Sequence, residues 1–190
     1  MLGNLFKKKK KYSSITNAFG ICALIIVILF IILLLFRGVK YDNVVINSSS
    51  SSIIISDDLP LNDKVGMNIK KNDDGIVGYF KFSIENKRGI NTKAFVYLEK
   101  SFESTIPDKY IKVFLTDGDD KPCKLFKNNI VPNYGELLYD SYYSGGKIIF
   151  EDILSRYEKK EFILRVWLSD FYPLGYKGES FILNVGVHSV

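Results

Sequence analysis

Asp117-Gly118-Asp119-Asp120 is the densest run of hard oxygen ligands in this sequence of 190 residues. Carboxylates so closely spaced are the raw material of a calcium loop. The run departs from the EF-hand pattern, because Lys121 stands where a third oxygen ligand belongs and Pro122 where the glycine belongs. It therefore reads as a polar hairpin turn, as does Asn72-Asp73-Asp74-Gly75. His188 is the single histidine, and a catalytic triad would need a nucleophile and an acid gathered around it. By strand alternation it shares a face with Asn184 and Gly186, which predicts a solvated residue on a polar side. Cys123 has no partner for an intrachain disulfide, since Cys22 lies in an apolar run, and is expected as a buried or weakly exposed free thiol.

Tyr134, Tyr139, Tyr142 and Tyr143 lie in one region that ends in Gly145-Gly146. Tyrosines on loops offer flat, amphipathic surface to a saccharide or a protein partner, and these four are the candidate ligand-binding residues. The competing reading packs them over a sheet edge or beside the core. Trp167, within a strong strand pattern, is expected as a packing residue. The composition offers no multi-histidine zinc site and no disulfide framework. No catalytic set, cofactor or metal site is expected, so the chain reads as a non-enzyme.

The elements that position these residues begin with an uneven charge distribution. Residues 1–40 hold Lys7 to Lys11, Arg37 and Lys40, and no acid. Subtracting these seven from the 26 basic residues of the chain leaves 19, against all 21 acidic ones, in residues 41–190. The basic excess belongs to a short N-terminal tract and not to a folded surface, which argues against nucleic acid as a partner. Residues 18–36, AFGICALIIVILFIILLLF, contain no charge and no proline. A helix of this length spans about 28 Å at about 1.5 Å per residue, close to the hydrocarbon thickness of a bilayer. The lysine cluster before it predicts a cytoplasmic N-terminus and an external C-terminal domain. The stretch is longer than a secretory core and lacks a small-residue cleavage site, so it reads as an uncleaved signal-anchor that engages the lipid bilayer.

The expected organisation is a basic tail over 1–17, a transmembrane segment over 18–36, a Ser-rich tether over 37–58 and an extracytoplasmic domain over 59–190. Ser48 to Ser52 give the tether its flexible composition. The apolar triplets flanking them, Val44 to Ile46 and Ile53 to Ile55, are candidate strands that pair either within the domain or with a neighbouring copy. From about Leu59 the pattern is β. Phe80, Phe82 and Ile84 alternate with Lys81, Ser83 and Glu85; Phe162, Leu164, Val166 and Leu168 alternate with Ile163, Arg165 and Trp167; Phe181, Leu183, Val185 and Val187 form the last strand. Only Glu151 to Lys160 has room for a helical turn or two. The fold class expected is all-β, an antiparallel β-sandwich of jelly-roll or Ig-like type.

Two stretches carry a resemblance. Phe80-Lys81-Phe82-Ser83-Ile84-Glu85-Asn86-Lys87-Arg88-Gly89, and Leu164-Arg165-Val166-Trp167-Leu168-Ser169-Asp170 followed by Gly175-Tyr176-Lys177-Gly178-Glu179-Ser180-Phe181, resemble exported bacterial surface proteins of the TasA/camelysin type, mainly over residues 76–190. The resemblance implies a jelly-roll-like sandwich, a place outside the cell and, in some members, assembly into matrix fibres. It supplies no catalytic residues. The chain has 22 Lys and 4 Arg, a balance typical of an AT-rich bacterial genome. The expected function is structural, in matrix or adhesion, with self-association or a cell-surface partner; the alternative is a saccharide- or peptide-binding ectodomain.

Overall fold

Alternating apolar residues can bury only one face of a strand, so strands of this kind must meet a second sheet. The computed structural model describes residues 26, 44–48, 52–57, 60–71, 78–140, 145–173 and 178–190. The chain divides into two units, Met1–Tyr41 and Asp42–Val190. Of the first, only Ile26 is described, as a helical residue. The expected membrane segment, residues 18–36, otherwise lies outside the described residues. Among the described residues no helix is long and apolar enough to cross a membrane.

The second unit is a β-sandwich. Its eight strands are β1 (Val44–Ser48), β2 (Ser52–Ser56), β3 (Tyr79–Asn86), β4 (Thr92–Lys100), β5 (Ile111–Asp117), β6 (Gly146–Leu154), β7 (Lys159–Leu168) and β8 (Ser180–Ser189). They form two four-stranded antiparallel sheets, in the orders β1-β3-β7-β5 and β2-β8-β4-β6. The expected inward sets meet between them. Phe82 stacks on Phe162 within the first sheet at 5.3 Å, and Phe162 meets Phe150 of the second edge-on at 4.7 Å. Phe80, Phe82, Ile84, Phe162, Leu164, Val166, Phe181 and Leu183 are all buried.

Two expectations are corrected. The region read as a tether supplies two strands. Val44 to Ser48 pair with β3 and Ser52 to Ser56 with β8, so both apolar triplets lie in the sheets of their own domain. Residues 151–154 continue β6 and residues 159–160 open β7, with a turn between them where a helical turn was expected. On the outward side of β7, Ile163, Arg165 and Trp167 are buried too, Trp167 being the packing residue expected. A short helix, α1 (Asp63–Gly66), and the segment around it cover this side. Asn62 caps α1 by accepting a hydrogen bond from the Val65 amide at 3.0 Å. Phe126 adds to the cover by packing edge-on against Phe114 of β5.

Arg165 is held within this covered layer. Its Nε donates to the Ile69 carbonyl at 2.9 Å, Nη1 to Thr116 Oγ1 at 3.2 Å and Nη2 to Asp120 Oδ1 at 2.7 Å. A buried guanidinium is tolerated only when its donors find acceptors of this kind.

Candidate functional site

The second sheet ends at β6 and the first at β5, so one flank of the sandwich has two strand edges to satisfy. Residues 122–140 run along that flank and serve both. On the β5 side Cys123 N donates to Leu115 O at 3.0 Å and Val113 N to Pro132 O at 3.1 Å; on the β6 side Ile148 N donates to Leu138 O at 2.9 Å and Asp140 N to Gly146 O at 2.9 Å. An irregular segment takes the place of a strand here, and it carries Tyr134 and Tyr139 of the tyrosines singled out from the sequence.

The two of those tyrosines that are described, Tyr134 and Tyr139, do not share one surface. Tyr134 is 3% exposed, packs edge-on against Phe181 at 5.3 Å and donates its hydroxyl to Leu98 O at 3.3 Å. Burial pushes its pKa up. Tyr139 is 67% exposed, with the Lys147 ammonium 4.2 Å from its ring centre. Tyr142 and Tyr143 lie outside the described residues. Lys147, which no sequence signal marked, is buried and donates to Leu137 O at 2.9 Å and Gly135 O at 3.1 Å. It ties the loop to β6.

Between the loop and β6 lies a groove of about 510 Å³. Leu125, Ile130, Leu138 and Ile153 face it and remain exposed. Its apolar walls suit an aliphatic side chain or an extended apolar peptide rather than a sugar. Among the described residues β6 takes no strand partner on this side beyond Ile148, so Phe150 to Leu154 present a strand edge beside the groove.

A second cleft, of about 600 Å³, is lined by Asp117, Asp119, Glu151, Asp152 and Glu161 above Phe150 and Phe162. Paired carboxylates in a cleft are what a glycoside hydrolase needs, with one of them raised in pKa to act as the acid. Here the carboxylates are tied down. Asp152 meets Lys160 at 2.6 Å, Glu151 meets Lys93 at 2.6 Å, and Glu161 meets Lys81 and Lys159 at 3.3 and 3.4 Å. The hydrogen bond from Lys160 holds the Asp152 carboxyl below its ordinary value, and those from Lys81 and Lys159 do the same to Glu161. Both shifts run against a role as general acid. At the edge of the cleft, burial and the Asp117 charge push the Cys123 thiol up to about 12, which keeps it protonated and unreactive.

The Asp117–Asp120 run is a turn in which the Asp117 and Asp120 carboxylates are already engaged. Asp117 Oδ1 accepts from the amides of Asp119 and Lys121 at 3.0 and 2.9 Å, and Asp120, at φ 67°, turns its carboxylate to Arg165. Among the described residues no group of three His, Cys, Asp or Glu is placed to hold a metal ion.

His188 is not the solvated residue expected. Its ring stacks on Phe95 with centroids 4.7 Å apart, and its Nε2 hydrogen-bonds the buried Asp140 carboxylate. It lies on the outward side of the second sheet, as alternation requires, but the chain around Asp140 comes back over it. At the end of the sandwich where β4 and β7 finish, the loops leave Phe102 95% and Phe171 83% exposed. Sequence reasoning passed over both, since a single phenylalanine in a polar loop has no period to reveal its exposure. No protein-family model matches this chain, and no curated protein matches it.

Proposed function

We propose that this is a single-pass, membrane-anchored surface protein whose β-sandwich serves a structural or adhesive role outside the cell, without catalysis. The observation that carries the reading is the pair of almost fully exposed phenylalanines, Phe102 and Phe171, on loops at one end of the sandwich. Aromatic side chains left in water on loops are what a partner surface offers. The apolar, uncharged stretch over 18–36 behind five lysines supports the anchor, with the lysines inside and the sandwich outside. The ion-paired carboxylates and the protonated Cys123 support a non-catalytic role. The pairing of β2 with β8, β3 with β7 and β4 with β6 is nested, the order of a jelly roll with one strand replaced by residues 122–140, and favours that type over an Ig-like one. It also supports kinship with the TasA/camelysin-type proteins.

The test is surface display of the full chain. Protease added to intact cells should remove the sandwich, and the Phe102→Ala/Phe171→Ala variant should display equally but lose cell-to-cell or cell-to-matrix retention at least several-fold. A sandwich protected until lysis would remove the surface assignment, and unchanged retention would remove the adhesive one. A second reading, peptide binding by strand addition, is favoured by the apolar groove beside β6.

A further inference from the structure

The end of the sandwich where the chain enters is built differently from the end that carries Phe102 and Phe171. Val44, the first residue of β1, is registered against Asn86, the last of β3. From Asn86 the chain turns through Lys87-Arg88-Gly89-Ile90-Asn91, and beside that turn lies Ser155-Arg156-Tyr157-Glu158, which joins β6 to β7. The two turns are locked together. Asn86, fully buried, donates its Nδ2 to Ile90 O at 2.8 Å and to Ser155 O at 2.9 Å, and its Oδ1 accepts from Arg88 N at 3.0 Å. Tyr157 N donates to Arg88 O at 3.2 Å.

This rim differs from its surroundings in charge and in what it exposes. Lys87 is paired with Glu85 at 2.6 Å, Lys159 with Glu161 at 3.4 Å and Glu158 with Lys160 at 3.7 Å, so the positive charge this rim offers is that of Arg88 and Arg156, on a region of the chain, 41–190, that is otherwise acidic in balance. Of the three arginines beyond residue 40, Arg165 is buried, and the other two are the exposed tips here. Among the described residues no carboxylate forms an ion pair with either of them. Between them Ile90 is 59% and Tyr157 67% exposed. Tyr157 holds φ 57°, a left-handed conformation that bulky side chains rarely adopt, and its hydroxyl lies 3.2 Å from where a Cβ on Gly89 would stand. The fold accepts local backbone strain to keep an aromatic ring at an exposed tip between arginines.

Guanidinium groups flanking one aliphatic and one phenolic side chain fit the headgroup layer of an anionic bilayer. The charges meet lipid phosphates, while tyrosine, like tryptophan, is enriched at that interface. We propose that the rim formed by Arg88, Ile90, Arg156 and Tyr157 docks the sandwich on the anionic membrane surface, leaving the Phe102 and Phe171 end free for a partner. The inference rests on the membrane reading above and adds a lipid-contacting face to it.

The full chain, reconstituted into vesicles of phosphatidylcholine alone or with a third replaced by phosphatidylglycerol, tests this by amide hydrogen exchange. Each Lys or Arg near an anionic surface adds about fivefold in affinity. Exchange at 87–91 and 155–158 should slow at least several-fold in the anionic vesicles, while residues 101–105 stay unchanged. High salt and the Arg88→Ser/Arg156→Ser variant should each abolish the difference; the variant leaves the Asn86 side chain untouched. Equal exchange in the two lipids overturns the proposal, as does protection that survives in the variant. Protection brought about in phosphatidylcholine vesicles by inorganic phosphate alone overturns the lipid assignment. The two readings fail separately. A chain stripped from vesicles by alkaline washing, yet protected at the rim when anionic vesicles are present, removes the anchor and keeps the rim. A chain that stays embedded with an unprotected rim does the reverse.

Discussion

Gly66 lies flat against the indole of Trp167, so close that a Cβ on the glycine would stand 2.1 Å from Trp167 Cε2. The contact joins α1 to the outward side of β7, and it is how a tryptophan on that side becomes 1% exposed. Gly66→Ala should force the helix or the ring to move, at a cost of about 1–3 kcal/mol typical of overpacking. Denaturant unfolding of the purified protein checks it, and a variant as stable as the parent would mean that α1 does not seat on Trp167.

Asn86 offers a sharper test, because its fully buried side chain donates to the carbonyls of two separate turns. Its Nδ2 serves Ile90 O and Ser155 O, with Leu154 O at 3.4 Å. Asn86→Ala should cost about 1–3 kcal/mol, the penalty for acceptors left without their donor. Asn86→Asp at neutral pH should cost more, since it aims a carboxylate at the same oxygens. An Asp variant milder than the Ala variant would overturn the donor assignment.

Cys123 should resist alkylation in the folded protein. With its pKa pushed up to about 12, only about one thiol in ten thousand is thiolate at pH 8, against roughly one in four for an ordinary thiol. Iodoacetamide should therefore label it orders of magnitude faster after unfolding than before. Rapid labelling of the folded chain at this residue, read by peptide mass, would contradict the burial.

The Asp152–Lys160 pair sets a modest pH dependence. The Asp152 pKa is lowered by folding, so its contribution is fully present above the ordinary carboxylate range and is lost as pH falls through the folded value. Asp152 is about half exposed, which limits the effect to a few tenths of a kcal/mol. Asp152→Asn should be slightly less stable than the parent at neutral pH, and the gap should close as pH falls below the ordinary carboxylate range. A gap that widens on acidification would reverse the sign assigned here.

The inward strand faces were legible because period-two alternation is local: Phe80, Phe82 and Ile84, or Phe162, Leu164 and Val166, declare a buried side without reference to anything distant. The same rule gave His188 its side of β8 but not its burial, because the Asp140 carboxylate that meets it comes from a loop 48 residues away. Tyr134 and Tyr139 look alike in sequence and end up 3% and 67% exposed, since one points into the gap between the sheets and the other along its rim.

What the amino-acid sequence determined by itself is what neighbours along the chain can decide. That includes the all-β class, most of the strands, the apolar stretch over 18–36 with its basic flank, and the turn at Asp117–Asp120. Tertiary structure alone decided that Val44 to Ser48 and Ser52 to Ser56 belong to the sheets, that α1 covers Trp167, and that Arg165 reaches Ile69, Thr116 and Asp120. The physical reason is that burial and hydrogen-bond partnership are properties of pairs. A serine-flanked apolar triplet serves equally as tether or edge strand until a second strand, β3 or β8, presents a free edge in register with it.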